Sequence, residues 1–491
     1  MNIFSRISDW YRRCAHDAQR KRRYHHTIPT TISGTNGTGE TSKKAYARAG
    51  APTSSRGPSL VAAWKERLVQ GFDERDFKHQ VALYSAHHTH RDYLFNGIGQ
   101  IAQGLMFPAL TIVASQLSSL AAAGQFSFCF VLAQLLGFIG LFGVRTYQVS
   151  DIEELDSFAA YQVHRIIVCL VMLGITIAFL MVRHLSSAMT LMCSSLVAYK
   201  GVEALADVFE GRLQQYDKLY LAGISQTIRC FFPLVIFIAT LALTRHIPSA
   251  SLMLFISSLA CLGLVTFPLT KFETPASRPW NMQEIKDLFI ECLPAFLGQF
   301  LFSVVDALPK FVMEGVLGYE QQFYYNALSF PAMAVLLVGA LIYRPRLVRL
   351  SVLWVQEKDA RHFDRQCLVI ALALIAASAC LIALVAHWGA AINGYMYGVS
   401  FQALVLEQNV MVCAGVCALM VDFVFQLLTI VRAQAQALFA YLLSVLIELV
   451  ITLIATLLWG FAGTVWAFAT SMMLLLVLMC LQYVRSRKRV F

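Results

Sequence analysis

One arginine lies deep inside an apolar stretch of this sequence. Arg229 follows about ten residues of an apolar run, which at about 1.5 Å per helical residue places it roughly 15 Å from the start of that run. Gln226 and Pro233 share its helical face. A charge this deep is costly in a membrane and marks a functional candidate. Two interpretations stay open: an anion-binding residue in a polar cavity, or a structural ion pair with Glu203 or Glu448.

A stripe of charge occupies a second apolar stretch. Lys200, Glu203, Asp207 and Glu210 are spaced by three or four residues, so they lie on one face of a helix. Such a face cannot meet lipid cheaply. It therefore faces other helices or water, and it supplies both a cation for an anionic ligand and acids for a cavity.

Further ionisable residues occur later in the chain. Asp306 and Lys310 are one helical turn apart and are able to pair with each other. Asp422 and Glu448 are isolated carboxylates within apolar runs. Glu448 lies near mid-depth, where a proton-coupling acid and a hydrogen-bonded structural acid are both plausible roles. Lys310 is a candidate ligand for an anionic group.

Prolines interrupt the apolar runs in both halves of the sequence. Pro294 and Pro309 lie in the segment from Glu291 to Arg349, and Phe107-Pro108 is a weak echo of Leu308-Pro309. Proline-broken segments at corresponding places of two halves indicate a transporter site at their interface. We expect a bend or cavity there, lined by Pro108, Pro294, Pro309, Asn96, Gln100 and Gln103.

The composition indicates that most of the chain lies within a lipid bilayer. Hydrophobic residues make up 58% of it and charged residues 14%, and the mean hydropathy is +0.61. Apolar runs long enough to span a bilayer recur twelve times. We predict spans near 94–115, 120–144, 166–182, 186–208, 219–243, 250–269, 288–309, 322–343, 367–387, 405–429, 437–459 and 462–484.

The distribution of basic residues fixes an orientation. With the N-terminus inside, the outer loops hold only Arg183 and Arg245, whereas the inner loops collect most of the other arginines and lysines. Both termini are therefore expected inside. We predict an all-α integral membrane protein with about twelve transmembrane helices: a tail at 1–90, a six-helix bundle at 91–270 and a second six-helix bundle at 283–486.

The N-terminal tail is basic and partly low in complexity, so part of it is expected to be disordered. Joined to a membrane domain, it is better suited to anionic lipid headgroups than to nucleic acid, although a merely solvated tail stays an open alternative. The sequence shows no metal-binding pattern, cofactor motif or hydrolytic constellation in its membrane helices. We therefore expect no enzyme, metal or cofactor.

Two segments resemble a known family. They are GVRTYQVSDIEELDSFAAYQVHR at 143–165 and ALPKFVMEGVLGYEQQFYYNALSFPAMAVLLVGALIYRPRLVRLSVLW at 307–354, with KGVEALADVFEGRLQQYDKL at 200–219 similar in kind. They resemble the polysaccharide-transporter branch of the multidrug/oligosaccharidyl-lipid/polysaccharide flippase superfamily. The long basic tail and the sequence Asp306-Ala-Leu-Pro-Lys310 depart from the usual pattern of that family.

The resemblance implies a MATE-like flippase fold with a cationic cavity between the two bundles. It also implies export of polyprenyl-diphosphate-linked oligosaccharide across a bacterial-type cytoplasmic membrane for surface polysaccharide or cell-wall glycan assembly, alongside glycosyltransferase or polymerase partners. In that setting Arg229, Arg145 and Arg344 would hold the diphosphate. Two alternatives stay open: a multidrug/cation antiporter of the same superfamily, and a membrane scaffold for glycan-assembly enzymes.

Overall fold

The computed structural model describes residues 89–151, 154–354, 360–431 and 433–487. Nearly all of the predicted tail at 1–90 lies outside this part of the chain. Inner and outer ends are named below from the predicted orientation. Apart from a short inner segment at 271–276, the described residues form one compact unit that contains both predicted bundles.

The first half of the described chain is a set of helices that run alternately outward and inward. Serine side chains cap three of them: Ser119, Ser157 and Ser186 each accept a hydrogen bond from the backbone N–H three residues on. The helices are α1 (Thr89–Leu117), α2 (Leu120–Leu141), the short α3 (Val144–Ser150), α4 (Phe158–Arg183), α5 (Ser187–Gln215), α6 (Leu219–Thr244), α7 (Ile247–Cys261) and, after a π-helical turn at Leu262–Thr266, α8 (Phe267–Glu273).

The second half repeats the alternation with longer helices. A 3-10 turn at Arg344–Arg346 follows the second of them, and Gly460 breaks the last with a φ of 59°. At such a φ glycine avoids the strain that a side chain would add. The helices are α9 (Met282–Val316), α10 (Tyr319–Tyr343), the short α11 (Leu347–Val352), α12 (Ala360–Tyr397), α13 (Val405–Ile430) and α14 (Gln434–Arg487).

The predicted fold class is confirmed. Ten helical stretches of the described chain are long and apolar enough to cross a membrane. Two further spans bring the number to twelve. One is α5, whose charged residues lower its hydropathy below that of the other spans. The other comes from α14, which holds one span before Gly460 and one after it. The exact bundle boundaries and the orientation stay predictions.

Three details differ from the sequence expectation. α9 continues through Pro294 and Pro309 without interruption. Each proline removes one backbone hydrogen bond, and the helices packed around α9 compensate for that loss. The third span begins at Phe158, well before the predicted 166, since Ser157 caps the helix ahead of its apolar run. The ninth span is also longer than predicted and reaches Tyr397.

The two bundles meet along α2, α4, α9 and α10. At the inner end, the rings of Phe142 and Phe296 stack with centroids 4.4 Å apart, and His164 lies 4.1 Å from Phe289. At the outer end, Phe128 meets Phe311 edge to face at 5.5 Å. Aromatic contacts therefore join the bundles at both ends of the shared surface.

Candidate functional site

The charged stripe of α5 turns toward the interior of the first bundle, where arginines from other helices meet it. Arg145, from α3, places Nη1 2.9 Å from Asp207 and 3.6 Å from Glu210. Its Nε and Nη2 donate to Gln214 at 3.3 and 3.1 Å. The Arg145 side chain stays 24% exposed. Arg145 is therefore an anchored cation that still reaches solvent at the inner mouth of the bundle.

A second arginine, directly before the predicted span at 166–182, belongs to this cluster. Arg165 is fully buried on α4 and pairs with the other oxygen of Asp207 at 2.9 Å. Its Nη1 donates to the Gly140 carbonyl at 2.8 Å and also to Leu141. The signal that could have found it is its position directly before the apolar run IIVCLV on a helix capped at Ser157.

Arg229 is held by an acid rather than facing open space. Its Nη2 lies 3.0 Å from Glu210, and both side chains are 2% exposed. The ion-pair interpretation describes it in this structure, but the partner is Glu210 and not Glu203 or Glu448. Within the described chain, its Nε and Nη1 have no hydrogen-bond partner. Arg229 therefore retains donor capacity that no described residue uses.

The π-helical turn at Leu262–Thr266 supports this pair from a third helix. Ser225 donates to Glu210 at 3.2 Å and lies 2.8 Å from the hydroxyl of Thr266. A π turn shifts the side chains that follow it, and such turns recur at functional sites. No pattern in the sequence predicts this π turn.

Lys200 and Glu203 form a separate pair on the same stripe. The ammonium lies 2.7 Å from the carboxylate, and the Tyr199 hydroxyl donates to that carboxylate at 2.7 Å. Lys200 also lies 5.0 Å from the Phe130 ring. Because Glu203 takes both donors within its own helix, these two predicted site residues satisfy each other.

The predicted amides of α1 contact α6 beside the arginine. Gln226 accepts from Gln100 at 3.4 Å and donates to Gln103. Asn96 is half-buried one turn further in, and Gly223 packs against the backbone there. The structure therefore brings the α1 amides together with Gln226, which lies three residues before Arg229 on α6. The half-buried Pro108 lies further out on α1.

A second polar cluster lies inside the second bundle. Lys310 bonds to Asp306 at 2.7 Å, and Asp306 stays 39% exposed although it lies far from either end of α9. Glu448 on α14 is fully buried and feels the charges of both residues. Neither carboxylate oxygen of Glu448 has a hydrogen-bond partner in the part of the chain that the structure describes.

Several neutral side chains of this bundle, like Glu448, are buried with polar atoms that make no hydrogen bond to a described residue. Buried polar groups normally have partners, so such a set points to water or a small ligand. They lie on the helical faces of α10 and α14: Gln322, Tyr325, Asn326, Ser444, Thr452 and Ser471.

The remaining predicted residues belong to the second bundle, and all of them except Pro309 lie toward its inner end. Asp422 accepts a hydrogen bond from Tyr343 at the end of α10. Arg344 follows directly and is exposed. Pro294 is half-buried and Pro309 buried, both within α9. No group of three or more metal-ligating side chains occurs in the described ranges.

Comparison with solved structures adds a fold relationship. The chain superposes on an inward-facing multidrug resistance MATE family transporter of the MOP superfamily with a TM-score of 0.59 and 15% identity, over 79% of this chain and 94% of the other. An outward-facing counterpart gives 0.56 and 16%, over 82% and 94%. The fold is therefore MATE-like.

A third solved structure differs in description. It is a MOP superfamily transporter from Pyrococcus furiosus, for which a binding pocket of reverse polarity is reported to suggest a different function. The TM-score is 0.51 and the identity 17%, over 82% of this chain and 94% of the other. No protein-family model and no curated protein matches the sequence.

Proposed function

We propose that this protein is an alternating-access transporter that moves polyprenyl-diphosphate-linked oligosaccharide across a bacterial-type cytoplasmic membrane. One observation carries the proposal: three arginines share two acids, Asp207 and Glu210, on the charged stripe of α5. These five residues are called the α5 cluster. Arg145, Arg165 and Arg229 all pair with Asp207 or Glu210. The cluster therefore has a surplus positive charge inside a MATE-like fold, where an anionic headgroup would complement it.

Arg145 is the residue proposed to meet the diphosphate first. It is the most exposed of the three arginines, and an arginine fork suits phosphate oxygens. A diphosphate would compete with Asp207 for this guanidinium, and Asp207 would keep its bond to Arg165. The two buried arginines thus hold the acids in place while Arg145 changes partner. Arg344 would meet the headgroup from the second bundle.

The glycan and the lipid tail impose different requirements. The glycan must avoid hydrocarbon, whereas the polyprenyl chain need never leave the bilayer. A polar path between two rocking bundles satisfies both requirements. At the outer end the bundles are joined by Gln116, which donates to the Met396 carbonyl at 2.8 Å, and by an ion pair between Arg183 and Glu314. These contacts would break when the outer side opens.

The second bundle is proposed to couple transport to an ion gradient. Glu448 is buried and has no hydrogen-bond partner among the described residues, so its charge state is sensitive to nearby charge. Lys310 is bonded to Asp306 and acts electrostatically on Glu448. A proton taken up by Glu448 would alter the interaction of Lys310 with both acids and hence the position of α9.

A reconstituted assay tests the substrate class. The protein is placed in vesicles with a fluorescent polyprenyl-diphosphate oligosaccharide, and the fraction accessible to an external quencher is followed over time. We expect protein-dependent flipping that Arg145→Gln slows and that Arg245→Gln, an exposed outer arginine, leaves unchanged. Equal flipping in protein-free vesicles would contradict the proposal.

A multidrug/cation antiporter is the second candidate. The half-exposed Asp306 within α9 favours it, because a carboxylate attracts cationic drugs. A multidrug resistance transporter is also among the solved structures of similar fold. Efflux of a cationic dye that depends on Asp306, without flipping of the lipid-linked oligosaccharide, would favour this candidate. Recruitment of glycosyltransferase or polymerase partners through the tail is a separate proposal.

A further inference from the structure

Two cysteines from different helices meet in the first bundle, outside the charged site. Cys193 on α5 directs its thiol at the sulfur of Cys129 on α2, with the two Sγ atoms 2.8 Å apart. Both side chains are fully buried. They are 64 residues apart in the sequence, so only the packing of α2 against α5 brings them together.

This cysteine pair lies close to the outer contact between the bundles. The carbonyl of Met189 lies 3.9 Å from the sulfur of Cys129, and the sulfur of the same Met189 accepts a hydrogen bond from Tyr319 at 3.5 Å. Tyr319 begins α10 of the second bundle and packs on Gly124. A single residue therefore separates the cysteine pair from the second bundle.

We propose that Cys129 and Cys193 are an oxidisable dithiol that closes to a disulfide and ties α2 to α5. With hydrogen peroxide as the oxidant, two S–H bonds break, one S–S bond forms and the peroxide is reduced to two molecules of water. Because the sulfurs already touch, the bond closes within one molecule and needs no collision between two. Burial keeps large reagents out, so the oxidant must be small and uncharged.

The pair lies in the outer halves of both helices, so an oxidising compartment on that side would supply such an oxidant. The disulfide would join the helix that contacts α10 to the helix that carries the charged stripe. Closure of this disulfide does not depend on which substrate the protein moves.

Mass spectrometry of the full-length protein in its membrane tests this directly. Membranes are treated with hydrogen peroxide, the protein is denatured, and free thiols are alkylated before digestion. We expect a cross-linked peptide pair containing Cys129 and Cys193, two hydrogens lighter than the sum of the thiol peptides. Alkylation of each of these cysteines should fall by about tenfold relative to untreated membranes.

Two variants serve as controls. Cys193→Ala must abolish the cross-linked peptide and leave Cys129 free to be alkylated, while Cys417→Ala, on α13, must leave the cross-link intact. Cys380, which is exposed and lies within the predicted span at 367–387, reports whether the oxidant acted on thiols in the spanning helices. Oxidation of Cys380 with Cys129 and Cys193 still fully alkylated would overturn the proposal, as would pairing of Cys129 with any other cysteine.

Discussion

At the scale of single residues, the ion pair of Arg229 with Glu210 links the stability of the first bundle to its charged site. Both side chains are almost fully buried, and Ser225 and Thr266 extend the contact. Removing one partner of a buried ion pair leaves the other as an uncompensated charge. Loss of Arg229 therefore damages stability as well as any transport role.

We predict that Arg229→Met lowers the free energy of unfolding by about 3–5 kcal/mol, because the buried Glu210 loses its nearest cation and keeps only Arg145 at 3.6 Å. The double variant Arg229→Met/Glu210→Met should recover most of that loss. Thermal unfolding in detergent, compared across the single and double variants, measures both effects.

The matched control is the outer ion pair of Arg183 with Glu314, in which the arginine is 43% exposed. Solvent weakens such a pair, so Arg183→Met should cost no more than about 1 kcal/mol. A double variant at Arg229 and Glu210 that is no more stable than Arg229→Met would contradict the assignment of a buried pair.

Glu448 gives the second residue-scale prediction. Glu448→Gln keeps the shape of the side chain and fixes it in a neutral form, and no hydrogen bond to a described residue is lost. We expect normal protein abundance but transport that no longer responds to a pH gradient. Proteoliposome flipping with and without an imposed gradient measures this.

Glu320→Gln, at the exposed start of α10, is the control and should keep the gradient response. If Glu448→Gln responded to the gradient as the unmodified protein does, Glu448 would have no coupling role.

At the scale of helices, the contact of α2 with α10 depends on a missing side chain. A Cβ at Gly124 would lie 1.8 Å from the Tyr319 carbonyl oxygen, which is too close for any side chain. Because the obstacle is backbone, it cannot rotate away. The outer ends of the two bundles can therefore approach this closely only with glycine at 124.

We predict that Gly124→Leu wedges the outer contact open. The variant should fold, since the clash is confined to the contact with Tyr319, but its outer face should stay accessible and flipping should fall by at least about tenfold. Accessibility is read by alkylation of a cysteine introduced at Tyr319.

Gly174→Leu is the matched control, because nothing lies within 4 Å of a Cβ added there. It should flip substrate at the normal rate. Normal flipping by Gly124→Leu would show that the outer contact does not need to close during transport.

At the scale of the whole molecule, the two bundles are joined at both ends of their shared surface. At the outer end, Ser115 donates to the Tyr397 carbonyl at 3.4 Å beside the bond from Gln116 to Met396. At the inner end, Ser157 donates from its hydroxyl to Glu284 at 2.7 Å. Rocking of the bundles requires at least one of these sets to break.

We predict that linking Gln116→Cys to Met396→Cys with a short cleavable bifunctional thiol reagent stops flipping, because the outer side can no longer open. Cleavage of the linker should restore it. Each single cysteine variant, treated in the same way, should keep its activity. Undiminished flipping by the cross-linked protein would exclude rocking at this end.

The sequence alone determined the membrane character and the number of spans. Hydrophobic runs of about 20 residues must be helical in lipid, since backbone groups there have no water to bond to. It also identified Arg229, Glu448 and the α5 stripe, because charge at membrane depth is conspicuous in an apolar run. None of these inferences required knowledge of which helices are neighbours.

Only the tertiary structure decided the partners. Ion pairs join residues far apart in the chain, so spacing could not show that Glu210 holds Arg229 or that Arg165 belongs to the cluster. The π turn depends on packing between helices, as do the buried polar groups of the second bundle that have no partner among the described residues. Hydrophobic periodicity carries no information about such packing. Helix formation in a bilayer is a local consequence of backbone hydrogen bonding, whereas the pairing of charges depends on how separate helices assemble.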